Sequence, residues 1–151
     1  MAPGATVKFV VPASTPASAG IDLSALYIVE RNLAGAMSES YGGCESGLGT
    51  VNAFYNSLWE QAAAQGISVM VSTGDNGSAG CDDFNTATAA SQGLAVNGLA
   101  STPYNVAVGG TDFDQLNKWS TYWSATNTRL ERRLSVTFRK SRGTRAARRL
   151  D

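Results

Sequence analysis

Asp75 stands directly behind an apolar run, in Ser72-Thr73-Gly74-Asp75-Asn76-Gly77. The flanking glycines let a second backbone come close. A carboxyl group in that place, kept protonated at low pH, can donate a hydrogen bond to an oxyanion developing on a substrate. The same residue also fits a turn cap, a common use of Asp in glycine-rich loops. The sequence contains no histidine, which excludes a Ser-His-Asp triad, a Cys-His dyad and a His-ligated metal within it. Acid–base work is then left to carboxyl groups, which points to acidic working conditions. A second glycine-rich stretch, Gly43–Gly49, follows an apolar strand and opens a helix, the position of a phosphate loop. It lacks the G-x-G-x-x-G and G-K-[ST] spacings, and Glu45 would repel phosphate, both against that reading; a nucleotide-binding α/β domain stays an alternative that tight phosphate binding at Gly43–Gly49 would support. Asn76-Gly77-Ser78 matches the glycosylation sequon, a pattern frequent by chance.

The elements that must hold these residues alternate. Ala5–Pro12 reads as a short buried strand stopped by its proline. Ser18–Leu33 carries Ile21, Ala25, Ile28 and Val29 at helical spacing. Ala36–Gly42 reads as a second strand. Thr50 is expected to cap the next helix, whose buried face is Val51, Phe54, Tyr55, Leu58, Trp59 and Ala62, and Gly66 to end it. Ile67–Ser72 is a third strand. A long loop then runs past Leu94–Val96 and Pro103 to a strand at Asn105–Val108. No internal repeat is visible. Strand and helix in short alternation predict an α/β fold with a parallel sheet flanked by helices. In such sheets the working residues lie on loops at the carboxyl ends of strands, here Gly42–Gly49 and Thr73–Asp83.

Composition agrees with a chain of 151 residues able to bury one core, with 43% hydrophobic and only 16% charged residues. The net charge of zero hides a split. Residues 1–128 hold three basic residues (Lys8, Arg31, Lys118) against ten acidic ones, whereas residues 129–151 hold nine basic against two. A sign change at one point marks two pieces of different origin or task. No run approaches the ~20 apolar residues of a membrane span, and no charged-then-apolar leader follows Met1.

Four segments occur in order: Ser38-Glu39-Ser40-Tyr41-Gly42-Gly43-Cys44-Glu45, Trp59-Glu60-Gln61-Ala62-Ala63-Ala64-Gln65-Gly66, Ser72-Thr73-Gly74-Asp75-Asn76-Gly77, and Ser101-Thr102-Pro103-Tyr104-Asn105-Val106-Ala107-Val108-Gly109-Gly110-Thr111. Together with Ala2-Pro3-Gly4-Ala5 they resemble the sedolisin family of serine-carboxyl peptidases, kumamolisin-like members in particular, over residues 2–128. The resemblance implies a partial subtilisin-like fold and the parentage of a secreted, extracellular endopeptidase active in acid. It implies oxyanion support from Asp75, and pairing of an extended polypeptide substrate with Ser40, Tyr41 and Gly42 by backbone hydrogen bonds. The family's Glu/Asp pair lies upstream of A-P-G-A, and its serine lies in a G-T-S segment far downstream. Neither is in this sequence, and Gly110-Thr111-Asp112 is the earlier, non-nucleophilic glycine segment. The calcium expected for the intact parent has its site in the missing C-terminal part, so no metal site is expected here. The sequence is therefore expected to be an internal fragment, inactive by itself. Glu39 stands where relatives usually carry an apolar or small residue. A secreted parent also makes a Cys44–Cys81 disulfide reasonable, worth about 4 kcal/mol in the loop-entropy account; the alternative is two free buried thiols.

Tyr122–Thr128 still follows the family pattern, and the likeness stops at Thr128. Restoring one base there lets the shifted frame carry the family's S-Y-x-P-E and W-N elements. Residues 129–151 are accordingly expected to be a disordered frameshift product with no nucleic-acid or membrane role, on a chain that is monomeric or aggregation-prone. The competing expectation is a small α/β binding module whose basic tail grips nucleic acid, recognisable by salt-dependent binding.

Overall fold

A serine–threonine turn launches the first helix. Thr15 Oγ1 accepts from the backbone N–H of Ala17 (3.3 Å) and Ser18 (3.0 Å), and Ser14 Oγ accepts from Gly20 N–H at 2.8 Å. Ala19 at the N-cap has no side-chain oxygen to offer, so Ser14 does that work from six residues away. Helix α1 then spans Gly20–Glu30 and buries Ser24, Ala25 and Val29, as its apolar spacing predicts. In this computed structural model residues 4–83 and 85–111 are described. Asp112, Tyr122–Thr128 and the basic tail, together with Ala2 and Pro3, lie outside the described residues.

The sheet is three parallel strands in the order β1-β2-β3, with β1 at Ala36–Glu39, β2 at Ser68–Ser72 and β3 at Val106–Val108. The register sets Met37 beside Val69 and Glu39 beside Val71, and all four are buried on one face. Ala36, Ser38 and Ser68 alternate onto the opposite, more open face. The predicted parallel α/β architecture is the observed one.

Between β1 and β2 the chain makes a four-residue helix, α2 (Glu45–Leu48), and a long one, α3 (Thr50–Ala64). Tyr55, Leu58, Trp59 and Ala62 of α3 are buried, with Val51 and Phe54 half-buried beside them. They meet Ala25 and Val29 of α1 and Val69 and Val71 of β2 in one cluster closed by Leu99 and Ala100. Trp59 stays fully buried because its Nε1–H donates to Leu99 O at 3.0 Å. Gly66, at φ 80°, ends the helix: its N–H donates to Ala63 O at 3.0 Å and that of Ile67 to Ala62 O at 2.9 Å. That pair of bonds is the Schellman closure for which glycine is suited.

Two local expectations are corrected. Ala5–Pro12 is not a buried strand. It is irregular, with Val7, Phe9 and Val11 exposed, and it is held by Lys8 Nζ donating to Leu33 O (2.6 Å) and Ser24 Oγ donating to Val10 O (3.3 Å). Apolar residues make a strand only where a neighbour supplies the ladder, and none of the described strands pairs with this segment. Thr50 does not cap α3. Gly49 is the N-cap, at φ 54°, and turns the chain straight from α2 into α3, leaving Thr50 as the first helical residue without a capping bond.

Candidate functional site

Past the end of the ladder, β1 and β2 send their chains into the two loops that hold the candidate residues. Direct pairing stops at Glu39–Val71. Ser40, Tyr41 and Gly42 continue beyond it as exposed residues outside the ladder, so the strand expected to reach Gly42 ends three residues earlier. The cause is Asn97. Its Nδ2 donates to Tyr41 O (3.1 Å) and to Ser72 O (2.7 Å), while its Oδ1 accepts from Gly43 N–H (3.2 Å) and Leu99 N–H (3.1 Å). A buried amide thus occupies the space where ladder bonds between the two chains would otherwise continue. Gly42 is the residue that permits this, because a Cβ there would lie 2.2 Å from Asn97 Nδ2. Around it, Val96–Gly98 runs antiparallel to Gly43–Glu45, with Glu45 N–H donating to Val96 O (3.1 Å) and Gly98 N–H to Gly43 O (3.0 Å).

Cys44 and Cys81 are joined as a disulfide, with Cα atoms 4.7 Å apart. The bond ties the loop after β1 to the loop after β2, and Ser46 Oγ lies 3.0 Å from the Cys44 sulfur. Asp75 sits at the exposed turn of the second loop, after Gly74 at φ 87°. The base of that loop is clasped by Asp82. One of its carboxylate oxygens accepts from both the N–H and the Oγ–H of Ser91 (2.8 Å each), and the other from Gln92 N–H at 3.3 Å. Asn76 Nδ2 donates to Asp82 O across the turn. Hydrogen bonds to the charged form hold the Asp82 carboxyl below the usual carboxylate range, and those from Asn85 and Thr86 do the same for Asp83.

A cavity of about 190 Å³ opens beside the second loop, where Thr73 and Gly77 face Val96, Asn97, Ala100 and Ser101, with Ala107 of β3. Its walls are mostly apolar, and it lies two residues along the chain from Asp75. The tertiary structure therefore brings Ser40–Gly42, Cys44, Cys81 and the Thr73–Asp83 loop to one end of the sheet, the carboxyl end expected for a parallel α/β site. Asn97 and Asp82 were not singled out from sequence. The Asn-Gly pair at 97–98 following a short apolar run was the available signal for the first. Among the described residues no group of three or more His, Cys, Asp or Glu side chains is placed to hold a metal. None of the described helices is long and apolar enough to cross a membrane.

No family model matches the chain, and no curated protein matches it. Among solved structures, the chain is similar to Pseudomonas sedolisin, a serine-carboxyl proteinase complexed with two molecules of pseudo-iodotyrostatin. The two share 30% sequence identity with a TM-score of 0.55, over 67% of this chain and 27% of that one. The chain thus spans about a quarter of the length of the sedolisin it resembles, and its three-stranded sheet and flanking helices are those of a subtilisin-like fold of that type.

Proposed function

We propose that this chain is a part of an acid-active, secreted serine-carboxyl endopeptidase domain, the part that receives an extended polypeptide and supports the oxyanion. The observation that carries the reading is the shared position of two loops at the carboxyl end of a parallel sheet, in a chain whose 30% identity is to a serine-carboxyl proteinase. In this reading the backbone of Ser40, Tyr41 and Gly42 pairs with substrate. Such pairing supplies affinity through main-chain hydrogen bonds whatever the side chains. Asn97 keeps the inner side of that segment engaged, so the outer side is the one left for a ligand. Asp75, exposed on the neighbouring loop, supports the oxygen that gains charge as a peptide bond is attacked. The Glu/Asp pair and the nucleophilic serine of such an enzyme are not among these residues, so the 151-residue chain binds but does not hydrolyse.

The test is a titration of isotope-labelled chain with pseudo-iodotyrostatin at pH 4, read by amide chemical shifts. Shifts concentrated at Ser40–Gly43 and Asp75, with no turnover of a fluorogenic peptide, are expected. Absence of shifts at those positions at millimolar ligand would overturn the assignment of the binding edge, and turnover would overturn the assignment of the chain as inactive.

A further inference from the structure

Glu39 is the last residue of β1 and only 3% exposed, on the sheet face covered by helices. Tyr55 of α3 places its Oη 3.3 Å from Glu39 Oε1 and 2.6 Å from Oδ1 of Asp22 in α1. A phenol has a single hydrogen. It can serve one carboxyl at a time, and the shorter contact assigns it to Asp22. The Tyr55 oxygen then faces Glu39 as an acceptor, and two acceptors in contact repel. The contact is a hydrogen bond only when Glu39 itself carries a proton and donates it to Tyr55. Glu39 Oε2 points the same way: it is buried without a hydrogen-bond partner, a condition far costlier for a carboxylate than for a neutral carboxyl. Among the described residues Asp22 and Tyr55 are the titratable groups that face Glu39, since β2 beside it contributes none.

We propose that Glu39, Tyr55 and Asp22 form an acid-state latch, in which one proton on Glu39 completes a hydrogen-bond chain across β1, α3 and α1, and whose loss loosens the root of the Ser40–Gly42 segment. Burial raises the Glu39 pKa from 4.5 to about 7 and the Asp22 charge adds to the rise; a bond that Glu39 donates to Tyr55 favours the same neutral form. Burial and the bond to Asp22 push the Tyr55 phenol above its ordinary range, so it keeps its hydrogen throughout. An acid whose folded pKa is raised contributes stability that is complete below its unfolded pKa and is lost as pH climbs through the folded one. The window here runs from pH 4.5 to about 7. The latch is a property of the folded chain and stands whether or not the peptidase reading does.

The full chain and its Glu39→Gln variant separate the outcomes. Glutamine offers a neutral donor to the Tyr55 oxygen at every pH, so it mimics the latched state permanently. Between pH 4.5 and 7 the unfolding constant of the unsubstituted chain should rise by about two orders of magnitude, and that of Glu39→Gln much less. Parallel profiles overturn the proposal. Should the variant not fold, a carboxyl carbon-13 titration of the unsubstituted chain decides: a Glu39 midpoint near neutrality supports the latch, and one near 4.5 overturns it. Above neutrality, amide exchange at Ser40 and Tyr41 should be faster than in Glu39→Gln. Equal rates would sever the latch from the segment.

Discussion

Asn97 uses both hydrogens of its amide and both acceptor sites of its carbonyl on backbone groups of three separate segments. Replacing it by Ala leaves Tyr41 O, Ser72 O, Gly43 N–H and Leu99 N–H without those partners. A buried polar group left unpaired costs about 1–3 kcal/mol, and water can recover those groups that border the adjoining cavity. Asn97→Ala is therefore expected to lower stability by ~3 kcal/mol, read from the midpoint of urea unfolding; a change below ~1 kcal/mol would mean that solvent replaces the side chain in full. Glu39 is the contrasting case at this scale. Its alternation with Met37 along β1 puts it on the buried face by sequence pattern alone, but the phenol that meets it comes from α3, sixteen residues away.

At the scale of elements, α3 contributes Tyr55, Leu58, Trp59 and Ala62 to the core, and its C-terminus decides where β2 begins. Gly66 makes that exit in a left-handed conformation with nothing crowding its Cα, so a side chain there meets backbone strain rather than a clash. Gly66→Ala should cost about 1 kcal/mol and lower the melting temperature by a few degrees. An unchanged melting temperature would show that the helix end can re-form without the Schellman bonds. The spacing of apolar residues made α1, α3, β2 and β3 legible to within a few residues. It missed the early end of β1, because that end is imposed by a side chain from position 97 and not by anything in residues 36–42.

For the molecule as a whole, the disulfide closes a separation of 37 residues between the two candidate loops. Constraining a loop of that size in the unfolded chain is worth about 4 kcal/mol in the entropy account. Reduction, or Cys44→Ser with Cys81→Ser, should lower the urea midpoint accordingly; a midpoint unmoved by reducing agent would overturn that contribution. The pH profile of the chain combines opposed groups. Asp82 and Asp83 have lowered folded pKa values, so their contribution is present above their usual 3.8 and is lost as pH falls through the lowered values. Glu39 acts in the other direction from 4.5 to about 7. The two meet in mildly acidic solution.

The sequence by itself determined the class of the fold and the end of the sheet where the candidate site lies. Period-2 and period-3.6 patterns are local, and parallel strands joined by helices leave their loops at one end. The absence of histidine, a matter of composition, leaves no imidazole among the 151 residues. The tertiary structure alone decided which residues hold those loops in place and which carboxyl is kept neutral. Asn97 meets Tyr41 across 56 positions, Asp22 meets Tyr55 across 33, and the unpaired course of Val7–Val11 follows from the strands that do pair. Such outcomes depend on desolvation and on hydrogen-bond partners distant in sequence, and neither quantity exists until the chain has packed.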